Sequence, residues 1–168
     1  MNKRIAAILM MIAFGVIVLA AAEGVVDDDG TILEFSTMAG VTGPYVGPTN
    51  PIRGVPGGNA AWIIAESHGH LKANGELKLR TRGLVIPGPP FNFTNPLPEF
   101  RAIVSCQSID ANNNASIVNV ITATFPADTA GNSYLNTTVS LPQPCIAPII
   151  FVAHPTSDPP RWFAVTGL

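Results

Sequence analysis

The chain reads as an all-β protein, an antiparallel β-sandwich of Greek-key or jelly-roll type with eight or nine strands and one disulfide. Short β-branched and aromatic runs alternate with clusters of Gly, Pro, Asn and Asp, in a chain holding 15 Gly and 16 Pro. Beyond the N-terminal apolar run, no stretch repeats apolar residues at helical spacing between capping residues. Many short strands without crossover helices favour stacked antiparallel sheets over any α/β design.

The elements follow in chain order. Lys3 and Arg4 precede an unbroken apolar run over 5–22, and small residues at Ala20 and Ala22 stand just before Glu23. This is the pattern of a secretory signal peptide. The alternative is an uncleaved N-terminal anchor, because the run approaches the length that crosses a hydrocarbon core of about 30 Å. Residues 23–30, with Asp27, Asp28, Asp29 and Gly30, read as an acidic linker, and 31–168 as a single domain. Strands are expected at 31–38, 60–66, 69–73, 77–86, 100–106, 117–125, 134–141, 146–153 and 162–166. Alternation is clearest at Phe100, Ala102, Val104 and Cys106, and at Leu135, Thr137, Val139 and Leu141, as when one face meets a core and the other water. Segment 146–153 is apolar on both parities and reads as a central strand with Pro148 near its start. The stretches 39–59 and 87–98 read as long loops.

Removing 1–22 leaves 7 Lys and Arg against 11 Asp and Glu, so the exported part carries 7 − 11 = −4 with His neutral. That balance excludes nucleic acid as a global partner, and a membrane is expected only through an uncleaved N-terminal segment. The only two cysteines, Cys106 and Cys145, lie 39 apart in a chain bound for an oxidising compartment, which favours a disulfide over a metal site.

One charge pattern stands out. Lys72, Lys78, Arg80 and Arg82 fall within eleven positions together with His68 and His70, around the turn signal Asn74-Gly75. A two-residue turn would mix apolar and charged side chains on each face. A three-residue loop of Asn74, Gly75 and Glu76 pairs Ala73 with Leu77 and Leu71 with Leu79, sending leucines inward and cations outward. It also sets Lys72 opposite Lys78, His70 opposite Arg80 and His68 opposite Arg82. Like charges facing each other are mildly destabilising, so a hairpin that tolerates them is a candidate contact surface for an anionic surface polymer or an acidic protein. The plainer reading is a solvated face kept basic against aggregation.

The segments Phe100-Arg101-Ala102-Ile103-Val104-Ser105-Cys106, Phe125-Pro126-Ala127, Leu141-Pro142-Gln143-Pro144-Cys145-Ile146-Ala147-Pro148 and Trp162-Phe163-Ala164-Val165-Thr166-Gly167 resemble a group of small secreted bacterial β-sandwich proteins of uncharacterised function. The likeness also touches Asn50-Pro51-Ile52-Arg53-Gly54 and Arg82-Gly83-Leu84-Val85. It implies export and a shared fold and carries no catalytic residue.

A metal-dependent alternative rests on Glu66, His68 and His70, which alternate on one strand, followed by Glu76 and Gly83. This resembles the first metal motif of the cupin family. Five residues separate His70 from Glu76, one or two more than the family has, and with no second motif His154 would have to complete the ligand set. Other catalytic patterns are thin: there is no Gly-x-Ser-x-Gly, no phosphate-binding Gly loop and no His-Glu-x-x-His. His154 and Asp158 could be joined with a Ser into a triad, and Trp62 with Trp162 into a sugar-stacking platform, although each Trp lies in an apolar run. Asn92, Asn114 and Asn136 begin N-glycosylation acceptor patterns. The leading expectation is an exported, non-enzymatic binding or structural protein without a cofactor. A subunit of an extracellular assembly is a third reading.

Overall fold

The computed structural model describes residues 30–167. The expected signal peptide and nearly all of the acidic linker lie outside the described residues. Nine strands form two antiparallel sheets. They are β1 (Thr31–Phe35), β2 (Met38–Gly40), β3 (Glu66–Lys72), β4 (Glu76–Arg82), β5 (Glu99–Ile109), β6 (Ala115–Pro126), β7 (Ser133–Thr138), β8 (Ile146–Ala153) and β9 (Trp162–Thr166). A four-stranded sheet has the order β1-β3-β4-β7 and a five-stranded sheet the order β2-β9-β8-β5-β6. The chain passes between sheets at 36–37, 41–65, 83–98, 127–132 and 139–145, so β8 returns past β6 and β7 to pair with β5, a Greek-key return.

The two sheets close on one core. Leu71, Leu77, Leu79 and Leu135 from the four-stranded sheet meet Phe100, Ala102, Val104, Ile150, Val152 and Phe163 from the other. The centre of the five-stranded sheet is buried on both faces, as the apolar run of β8 requires: Ile103, Phe151 and Trp162 are as buried as their neighbours. Val41, Val46, Ile52 and Val55 of the long 41–65 connection join the same core, and Tyr45 packs against Trp162 with ring centroids 6.4 Å apart.

Two strand assignments change. The expected strand 31–38 breaks at Ser36 and Thr37, and its halves enter different sheets. The expected strand 60–66 does not form a ladder. Trp62 donates its amide to Val41 O at 2.9 Å beside β2, whereas Ala65 donates to Arg82 O at the end of β4 and Ile63 to Val85 O just past it. The segment ties the two sheets together, and that divided allegiance is why an apolar run with strand character is not a sheet strand.

Cys106 and Cys145 are bonded. Cys106 lies on β5, where its register against β8 shifts between Ser105 and Gln107, and Cys145 immediately precedes β8. The bridge therefore joins neighbouring strands at a sheet end. Arg53 supports the same irregularity by donating to Ser105 O at 2.8 Å and Ala147 O at 2.7 Å. A disulfide is compatible with an extracytoplasmic compartment. Among the described residues no helix is long and apolar enough to cross a membrane.

Candidate functional site

The β3–β4 hairpin turns through Ala73, Asn74 and Gly75. Gly75 donates to Lys72 O at 2.9 Å, and the Asn74 side-chain oxygen accepts from the Glu76 amide at 2.9 Å. The third residue of such a loop takes the left-handed conformation, and Gly75 holds it with φ +88°. A Cβ at this position would also collide with the Val139 carbonyl oxygen.

The glycine therefore moves the register by two residues from the one the apolar pattern suggests. Leu71 faces Leu77, His70 faces Lys78, His68 faces Arg80 and Glu66 faces Arg82. Continued by one pair, the same register sets Lys72 against Glu76. A shift of two preserves the faces, so Leu71, Leu77 and Leu79 are buried as expected. It changes the partners: Lys72 does not face Lys78, and Glu76 begins β4 instead of sitting in the loop.

Acidic residues thread through the basic ones. Glu66 pairs with Arg82 at 3.2 Å, and Glu76 lies 3.1 Å from Lys78 Nζ and 3.4 Å from His70 Nε2. Hydrogen bonds from Lys78 and then His70 hold the Glu76 carboxyl below its ordinary pKa. Glu34 on β1 faces His70 from the other side. The opposing cations that suggested a functional cost are thus largely compensated, and four cations against three carboxylates leave this face at 4 − 3 = +1 with His neutral.

Arg80 is the exception. It is exposed and makes no ion pair or side-chain hydrogen bond among the described residues. The sheet register places it between His68 on β3 and Tyr134 on β7. Tyr134 is 57% exposed, a large aromatic surface left in water beside an uncompensated guanidinium. A shallow depression of about 570 Å³ flanks Arg80 and Tyr134, with Asp128 and Asn132 in its lining, and another of about 410 Å³ flanks His68 and His70. Tyr134 and Glu34 were not singled out from sequence. The signal was present for Tyr134, because an inward Leu135 puts its neighbour outward.

The metal alternative does not assemble. No three His, Cys, Asp or Glu among the described residues are placed to share an ion. His154 follows β8, in the other sheet, and its Nδ1 accepts from the amides of Thr156 at 3.2 Å and Ser157 at 3.1 Å. Two backbone donors on that nitrogen make His154 the support of a turn, which also removes it from the triad considered with Asp158. The stacking platform fails as well: Trp62 and Trp162 are each 2% exposed. Asn92, Asn114 and Asn136 are all exposed.

Burial, and then the Arg101 charge, lowers the His154 pKa. A histidine lowered on folding contributes stability that is complete above its unfolded value near 6.5 and is lost as pH falls toward the folded value. Thermal stability is therefore expected to decline between pH 8 and 5, and His154→Gln is expected to flatten that decline. An unchanged slope in the variant would assign it to other groups.

Compared with known proteins, the chain matches no family model, and no curated protein or solved structure is significantly similar to it.

Proposed function

We propose that the protein is an exported, non-enzymatic β-sandwich that holds an anionic partner, an acidic surface polymer or an acidic protein, on the outer face of its four-stranded sheet. The observation that carries this reading is Arg80, an exposed cation without a carboxylate partner among the described residues, placed between His68 and Tyr134. A guanidinium beside an aromatic face can pair with a carboxylate or sulfate while the ring packs on the attached carbon skeleton. The whole chain is acidic at −2, whereas this face is positive. Lys72, Lys78 and Arg82 add long-range attraction, weakened by the carboxylates among them, so binding of this kind is salt-sensitive.

The test is retention on an immobilised acidic polysaccharide and on isolated cell envelope. Changing Lys72, Lys78, Arg80 and Arg82 together to Gln is expected to abolish retention. Arg80→Gln alone is expected to remove most of it, and Lys72→Gln alone little. Retention of the fourfold variant equal to that of the native chain on both supports would refute this reading.

A further inference from the structure

Among the described residues, the long edge strand of the five-stranded sheet has no hydrogen-bonded neighbour on its far side, because the strand order ends at β6. Among those residues only Ala127, past the end of β6, bridges toward β7, at Ser133. An open edge of this length is a template for another strand, and folded proteins usually guard one with charge, Pro or a bulge. β6 is weakly guarded. No charged residue occurs between Asp110 and Asp128, and the one irregularity in its pairing with β5 falls at Thr122 and Ala123, near its C-terminal end. The other sheet edges are shorter: β1 has five residues, β2 three and β7 six.

The edge is also apolar on its outer face. Ile109, Ile117, Ile121 and Ile146 are 45–55% exposed, four of the nine large apolar side chains that are 37% or more exposed among the described residues. Gln107 pairs with Ile117 on one side and Ile146 on the other, so these side chains share one face. What identifies the occupant is the order of residues. From 115 to 123 the strand reads Ala-Ser-Ile-Val-Asn-Val-Ile-Thr-Ala, the same in both directions apart from Ser116 for Thr122.

From this we infer that β6 pairs antiparallel with β6 of a second copy of the chain, about a two-fold axis through Asn119. In an isologous contact residue i meets j and j meets i, so a strand that reads alike both ways is complementary to itself. Pairing about Asn119 sets Ile117 against the partner copy's Ile121 and Val118 against its Val120, and each such pair occurs twice. No like charges meet anywhere along the strand. The product is a ten-stranded sheet continuous across the dimer, with the exposed isoleucines of both copies side by side.

The register makes the test specific. Ile117→Lys with Ile121→Lys would set Lys against Lys twice, whereas Ile117→Lys with Ile121→Glu would set Lys against Glu twice. Both pairs of changes are at exposed positions, and circular dichroism and thermal melting verify that the fold survives. Light scattering and sedimentation of the purified protein are expected to show a dimer for the native chain and for the Lys/Glu variant. The Lys/Lys variant is expected to dissociate about a hundredfold more readily. A monomeric native chain would overturn the inference, and so would equal dimerisation of the two variants.

Discussion

Replacing both Cys106 and Cys145 by Ala is expected to lower the unfolding free energy by about 4 kcal/mol. Loop closure sets this size: a bridge between residues 39 apart removes that much chain entropy from the unfolded ensemble. For a domain of this size it is a large share of the total, which lies at roughly 5–15 kcal/mol. The folded side of the balance should change little, because the bridge does not stand alone. Arg53 holds the carbonyls of Ser105 and Ala147 beside it, and the Asn119 side chain in turn donates to Arg53 O at 3.1 Å. The sheet end therefore keeps its own polar connections when the sulfurs are gone. Urea unfolding of the native protein and the double variant measures the difference. A loss under about 1 kcal/mol would mean that the unfolded chain is already compact around these strands, so that the bridge restricts little.

The sandwich was legible because its signals are local. Parity in Phe100 to Cys106 and turn residues between the runs need no knowledge of partners, and with only two cysteines the pairing had one solution. The hairpin divides the legible from the illegible. Burying Leu71, Leu77 and Leu79 decides which face is inside, and that choice survives a slip of two residues. It does not choose between registers two apart, and there the left-handed requirement at Gly75 and the attraction of Lys72 for Glu76 point the same way. Weighing the third loop position would have revealed the charge compensation from sequence. The role of His154 was not legible in the same manner, because its partners are backbone amides that carry no mark in the residue types. Nor was the fate of 60–66, where hydrogen bonds to both sheets replace a ladder.

Phe100→Ala is expected to lose about 3–5 kcal/mol, the range for truncating a fully buried aromatic residue. Phe100 is completely buried and meets three rings edge-on: Trp62 at 6.2 Å, Phe125 at 6.4 Å and Phe163 at 6.0 Å between centroids. Trp62 and Phe163 in turn stack at 4.2 Å. The four rings come from different parts of the chain. Phe100 and Phe125 face each other across β5 and β6, Phe163 belongs to β9, and Trp62 comes from the segment that ties the sheets together. Removing the central ring leaves a cavity whose walls belong to separate elements, and such walls collapse only partly, which places the loss high in the range. Phe100→Leu fills most of the space and keeps no edge-on contact, so it should cost clearly less. Trp62 fluorescence should shift to the red in the folded Ala variant as its packed face opens. If the Ala variant instead melts within about 1 kcal/mol of the native protein, the cluster closes over the gap, and the rings are not the common anchor of the two sheets.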